Sequence, residues 1–191
     1  RYRATEVDIP SWNYLRWWFV DRAMDLWEFL IGRYLMDTWC VWLFYSAMGA
    51  TIHHLAKLNG PIREFDLVTI HAHADIEYQI RCRKFGPWAD QHKQGPTIRF
   101  RPIVVGKKCK INSLLSPGVS VGDESHVEKF AVVAEGAQVP SNVIAGGNPA
   151  VNHGENMQKE EDDCEKPVFG LYVLEIVKLV WLLMELYIFF G

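Results

Sequence analysis

From Ile103 to Ala150 the chain reads IVVGKKCKINSLLSPGVSVGDESHVEKFAVVAEGAQVPSNVIAGGNPA. Ile103, Cys109, Leu115, Val121, Val127, Val133 and Val139 stand six residues apart, and Ile70, Ile76 and Cys82 keep the same step upstream. A six-residue apolar period fits neither the turn of an α-helix nor the alternation of a strand. It fits a triangular solenoid, in which each side of a coil is one hexad and one apolar residue per side points into a narrow prism. Val105-Gly106, Val121-Gly122 and Gly136-Ala137 place small residues near the corners, where backbone crowding favours Gly. Three hexads make a coil, so Phe65 to Ala150 holds about four coils less any protruding loop. The stretch Arg81 to Gln94, charged and poor in aliphatics, reads as that loop. Pro149 after Asn148 closes the last coil as a rigid turn.

Outward from the repeat the composition changes on both sides. Six of the eight Trp (Trp12, Trp17, Trp18, Trp27, Trp39, Trp42) precede the repeats, and the chain beyond Pro167 is almost wholly apolar. The expected organisation is aromatic interface or docking helices over 1–60, the solenoid over 61–150, an acidic linker over 151–167 and a transmembrane helix over 168–191.

Trp12 to Ile31 has no Pro or Gly, and Asp21, Asp25 and Glu28 recur at four- and three-residue steps, which lines them along one helical face. Trp12, Phe19, Leu26 and Leu30 lie opposite, with Leu15 and Trp27 at the edges. Ser11 is the expected N-cap and Gly32 the end. So much aromatic surface suits a bilayer interface, a large apolar partner, or packing as a cap on the β domain. Thr38 to Ile52 is apolar and uncharged but too short to span a bilayer, so it reads as an interfacial, re-entrant or buried helix broken by Gly49. Val168 to Phe190 carries only Glu175, Lys178 and Glu185 as charges and is long enough to cross a bilayer. The charges form a stripe that implies a protein or cofactor on that face.

A net charge of −3 and a Lys/Arg run never longer than two exclude the basic field a nucleic-acid partner needs. Cys40, Cys82, Cys109 and Cys164 lie far apart with no CxxC or zinc-type spacing, which reads as reduced thiols in a non-secretory compartment. A start at Arg1 rather than Met is expected of a processed or trimmed product.

The block Val105 to Ala150 resembles the terminal coils of hexapeptide-repeat acyltransferases, whose last coil commonly closes on a similar G-N-P-A. REFDLVTIHAHADIEYQ (Arg63 to Gln79), preceded by an aromatic segment ending GATI, resembles the β-helical region of the membrane-bound terminal domain of poly-lysine-synthetase-type nonribosomal peptide synthetases. The resemblance implies a left-handed coil, an exception to the usual right-handed crossover. It also implies a His between neighbouring β-helices of a trimer, acting as base on the acceptor while backbone groups hold a thioester carbonyl. In the synthetase-type domains that His comes shortly after the equivalent of Gln79. Here the chain reads QIRCRKF, with Arg81 and no His.

Of the other candidates, His71 and His73 stand beside Asp75 as a conceivable base or metal pair, although surface positions on a coil are the simpler reading. His126 is expected to face outward, His53 and His54 follow the apolar helix, His92 sits in the loop and His153 follows the last coil. Cys82 and Cys109 fall in the inward register without an adjacent base. No catalytic or metal-binding residue is assigned and no cofactor is specified. The expectation is therefore a non-catalytic, membrane-anchored scaffold or accessory subunit of a larger complex. It would meet lipid and other membrane subunits, pigment-binding ones among them, in an organelle membrane, thylakoid before mitochondrial inner membrane. The alternative is an acyltransferase using a CoA or carrier-protein thioester on a membrane-proximal acceptor.

Overall fold

The computed structural model describes residues 5–9, 11–36, 38–86, 96–155 and 168–190. A β-solenoid of five coils forms its body. One side is the parallel sheet of β2 (Thr51–Ile52), β4 (Val68–Ile70), β8 (Ile103–Val105), β10 (Ser120–Val121) and β12 (Gln138–Val139). The second is built from β3 (Lys57–Leu58), β5 (Asp75–Ile76), β9 (Lys110–Ile111), β11 (His126–Val127) and β13 (Val143–Gly146), and β14 (Val151–Glu155) turns back antiparallel on its edge. Isolated bridges Ile62 to Ile80 and Leu115 to Val133 mark the third side. The coils begin at Thr51, ahead of the expected start near Phe65, because Thr51 and Ile52 pair in register with Thr69 and Ile70.

One aliphatic column per side fills the prism. Ile52, Ile70, Val105, Val121 and Val139 stack on the first side, and Leu58, Ile76, Ile111, Val127 and Ala145 on the second, all buried. Val121 to Val139 and Val127 to Ala145 are 18 residues apart, as the hexad count requires, whereas Val105 to Val121 and Ile111 to Val127 are only 16. The strict six-step through Ile103 and Cys109 is therefore two residues out of register. Both are buried, but Val105 and Ile111 hold the column positions.

A corner between the first two sides repeats as regularly as the columns. His73, Lys108, Glu124 and Asn142 adopt left-handed backbone with φ of 58°, 53°, 58° and 58°. Lys108, Glu124 and Asn142 each donate a backbone N–H to the coil before, to Ala72, Lys107 and Asp123 carbonyls at 3.0, 2.7 and 2.8 Å. The hydrogen bonds offset the strain of non-Gly residues there. A Cβ at Gly122 would lie 2.5 Å from the Ser141 backbone nitrogen, which is why Gly follows the inward Val.

Part of the expected loop is ordered sheet. β6 (Arg83–Gly86) and β7 (Thr97–Phe100) form an antiparallel arm, and β1 (Glu6–Asp8) adds to its edge. This insertion explains why Ile70 and Val105 are cross-coil partners 35 residues apart. The loop beyond Gly86, with His92, lies outside the described residues.

The flanking helices differ from expectation. α1 (Trp12–Trp27) is capped as expected by Ser11, whose Oγ accepts from the Tyr14 N–H at 3.2 Å. It runs on through a π-turn (Glu28–Gly32) into the short α2 (Arg33–Leu35), so Gly32 does not end it. α3 (Trp39–Met48) is a buried cap rather than an interfacial or re-entrant helix: Val41 and Tyr45 are buried, Trp27 stacks on Phe44 at 3.9 Å, and the Tyr45 hydroxyl accepts from the Ile62 N–H at 3.1 Å. Gly49 ends it in left-handed geometry.

α4 (Val168–Phe190) lies against α2 and buries Glu175. Among the described residues no helix is long and apolar enough to cross a membrane. The transmembrane expectation for this segment is corrected for a physical reason. Every 18-residue stretch of α4 includes all three of Glu175, Lys178 and Glu185, and each charge opposes transfer into hydrocarbon.

Truncating a column residue leaves a void that its neighbours above and below cannot close. Ile111→Ala is expected to lower the free energy of unfolding by about 2–5 kcal/mol, measured as a reduced urea midpoint.

Candidate active site

The segment where the resemblance implies a base is occupied by an ion cluster. Arg63, from the first coil, donates to the Asp21 carbonyl at 2.9 Å, to Asp25 at 2.5 Å and to Glu28 at 2.9 Å. Arg83, at the start of the arm, binds Asp21 at 2.8 Å and Glu64 at 2.6 Å, and its guanidinium sits 4.7 Å over the Trp17 ring. The Trp17 indole N–H and the Cys82 backbone N–H also donate to Glu64, at 3.1 and 3.0 Å. Asp21, Glu64, Arg63 and Trp17 are buried. Burial opposes the charge of Asp21, but the hydrogen bond from Arg22 and the Arg83 and Arg63 guanidiniums outweigh it and hold the carboxyl below its ordinary value. For Glu28 burial prevails over Arg63 and raises the carboxyl.

The acidic stripe of α1 therefore faces the β-helix. Arg83 is committed to the clamp, and no imidazole takes its place in Arg81-Cys82-Arg83. The clamp was missed in the sequence because its basic half, Arg63 and Arg83, comes from two different coils. The available signal was Arg63-Glu64 embedded between Ile62 and Phe65.

The two inward cysteines are structural. Cys82 is fully buried, its thiol donates to the Leu67 carbonyl at 3.7 Å, and burial followed by the charge of Glu64 pushes its ionisation far upward. Cys109 stands across from Ala74 and Ser125 where the coil admits only a small residue, and its thiol lies 2.9 Å from the Gly122 carbonyl. Burial raises it as well. Neither supplies thiolate.

His53, His54, His71 and His73 gather on exposed corners of the first two coils. The rings of His53 and His54 stack at 4.4 Å, and partial desolvation with the neighbouring imidazoles lowers the His53 pKa. Asp75 lies on the adjoining side, in register between Lys57 and Lys110, rather than at the corner with His71 and His73. Among the described residues no group of three or more His, Cys, Asp or Glu is arranged to hold a metal ion.

His126 differs from the other described histidines in being half-buried. It projects from the flat second side, across from Lys110 and Ile144, and its Nε2 lies 3.3 Å from Asn112 Nδ2 on the neighbouring coil. Glu128, two residues on, shares that outward face, and both Glu128 and His153 border Gly146. This places one imidazole, one amide and one carboxylate on a rigid sheet beside the edge strand β14.

Comparisons with known proteins give the class. No family model matches the chain. It is 35% identical over 96 residues to the protein described as "Putative colanic acid biosynthesis acetyltransferase WcaF" in Escherichia coli (strain K12), and equally to its namesake in Shigella flexneri. The match covers 49% of this chain and 50% of each relative, so the chain spans about half the length of the curated relatives it matches. The solved galactoside acetyltransferase in complex with coenzyme A superposes with a TM-score of 0.53 at 14% identity, covering 80% of this chain and 87% of that one.

The solenoid thus has the left-handed β-helical fold of hexapeptide-repeat acetyltransferases, and half of the chain is similar in sequence to proteins that carry that name. The expectation of a non-catalytic scaffold is overturned by these likenesses, since the relatives carry acetyltransferase names. It rested on the missing His after Gln79, the charged stripe of the terminal helix and the excess of Trp, none of which bears on the similarity of the coils themselves. The likenesses give no support to a photosynthetic setting.

Removing Arg83 leaves the buried Glu64 without its cation, while Asp21 keeps Arg22 and Arg63, so Arg83→Met is expected to cost about 3–5 kcal/mol in urea unfolding. The Asp21 contribution has a definite sign. Its depressed carboxyl stabilises the fold above the ordinary value of 3.8, and that stabilisation fades as pH falls below it. The stability gap between wild type and Asp21→Asn should accordingly be constant near neutrality and close on acidification below that value.

Proposed function

We propose that the chain transfers an acyl group from a CoA or carrier-protein thioester to an amine or alcohol presented at a membrane surface. The observation that carries this reading is the 35% identity over 96 residues to proteins named acetyltransferases. The coenzyme A in the galactoside acetyltransferase structure supports a thioester donor. A narrower kinship with the terminal domain of poly-lysine-synthetase-type synthetases is part of the same proposal and rests on Arg63 to Gln79. That kinship supplies the membrane-proximal acceptor.

In this reading His126 is the base. Asn112 Oδ1 is buried without a partner among the described residues while Nδ2 faces His126. Turned about its amide, Asn112 accepts from the Nε2–H, fixes the tautomer and leaves a lone pair on Nδ1. The acceptor nitrogen or oxygen attacks the thioester carbonyl and gives its proton to Nδ1. A C–N or C–O bond forms, the C–S bond breaks, and the leaving sulfur takes the proton back from the imidazolium as a free thiol. His126 lies on a flat outward side, so in this reading a second β-helix walls the donor, and the active form is a trimer.

The test is acceptor-dependent thiol release from acetyl-CoA and longer acyl-CoA in the purified chain, with the mass measured by light scattering. Turnover by a trimer is expected, with His126→Gln slowing it by about a hundredfold or more. A chain that releases no thiol with any acceptor and occurs as one copy in a larger complex would falsify the reading. Full activity in His126→Gln would remove His126 alone.

A further inference from the structure

α1 is an amphipathic helix mounted with its charged side inward. Asp21, Asp25 and Glu28 turn to Arg63 and Arg83 of the β-helix. The apolar side is left outside: Trp12 is 74% exposed, Phe19 70%, Phe29 68% and Leu26 59%, with Leu15 and Leu30 between them. Burying these residues would have been worth more than burying carboxylates, so the orientation stabilises the chain fully only when something apolar covers the outer face.

The charges on that face name the occupant. Arg16, Arg22 and Arg33 are exposed on α1 and its continuation, and Arg22 is paired with Asp21 and Asp25. Arg16 and Arg33 make no ion pair among the described residues. Among the described residues of α1 and its continuation no acid is left to accompany them, because Asp21, Asp25 and Glu28 are drawn into the clamp. The face is aromatic and rimmed by cations. A second copy would bring arginines against arginines with no carboxylate to meet them.

We propose that this face of α1 lies in the headgroup layer of an anionic lipid bilayer, parallel to its plane, with Trp12, Phe19 and Leu26 among the acyl chains and the arginines at the phosphates. In this arrangement α1 lies in the surface and the clamp is what holds the β-helix against it. The inference stands apart from the acyl-transfer reading: its measurement needs no thioester.

The full chain is mixed with sedimentable vesicles of phosphatidylcholine, with and without phosphatidylglycerol. It is expected to sediment with the anionic vesicles and to be released by salt. Phe19→Glu with Leu26→Glu is expected to lower the bound fraction about tenfold. Arg16→Gln with Arg33→Gln is expected to reduce the preference for phosphatidylglycerol. Because all four side chains are exposed, circular dichroism and the urea midpoint should stay at their wild-type values, which separates lost docking from lost fold. Three results overturn the proposal. The wild type stays in solution with anionic vesicles, or the Phe19/Leu26 variant sediments undiminished, or the chain is a dimer in buffer that this variant dissociates.

Discussion

The constraint on which everything else depends is the fixed vertical register of the coils. Once Ile52 sits beneath Ile70 and Leu58 beneath Ile76, each later coil must place an aliphatic side chain over the last and a small residue at the inner corner. Parallel strands of two or three residues have little pairing energy of their own. They persist because the columns bury nearly every inward side chain and because the corner N–H groups find carbonyls one coil below. Backbone in the left-handed region at His73, Lys108, Glu124 and Asn142 is tolerated on those terms.

That register also positions the clamp. Arg63 leaves the third side of the first coil just after Ile62, and Arg83 leaves the second coil just after Cys82, so the two guanidiniums converge on Asp21 from adjacent levels, Arg83 binding Glu64 as well. A buried ionic group of this kind costs desolvation and is weak evidence for stability by itself. What it contributes is orientation: only one rotation of α1 about its axis presents Asp21, Asp25 and Glu28 together to Arg63. The clamp fixes which face of the helix the rest of the cell meets.

Much of this was legible in the residues. The six-step in Val121, Val127, Val133 and Val139 specified the solenoid, Ser11 and Gly49 marked helix limits, and the inward register of Cys82 and Cys109 argued against nucleophiles. The two-residue slip at Val105 and Ile111 was hidden because Ile103 and Cys109 are equally apolar and equally buried, so burial pattern alone cannot choose between them. The orientation of α1 was hidden because amphipathicity gives two faces and not which is inward; the deciding partners lie 42 and 62 residues away. The length and hydropathy of Val168 to Phe190 suggested a span, and the three spaced charges argue the opposite. His126 was read as outward, which its strand position confirms; its half-burial beside Asn112 depends on a neighbouring coil.

The same geometry makes the proposed acyl transfer compatible with the absence of a His shortly after Gln79. On a β-helix the sides are interchangeable platforms: each offers outward side chains at fixed spacing on a rigid backbone, and the donor site is completed by whatever walls it. A base need only lie within hydrogen-bond reach of the acceptor, with a neighbour to fix its tautomer. At Arg83, two residues beyond the Arg81 that stands where the His is missing, the chain holds α1, and α1 in turn commits one flank of the molecule to a helix rather than to another β-helix. The open platform is the second side, where His126, Asn112 and Glu128 stand together. A catalytic centre there and an apolar helix on the opposite commitment are compatible, because the clamp at the first coils and the polar set toward the last coils draw on different levels of one stack.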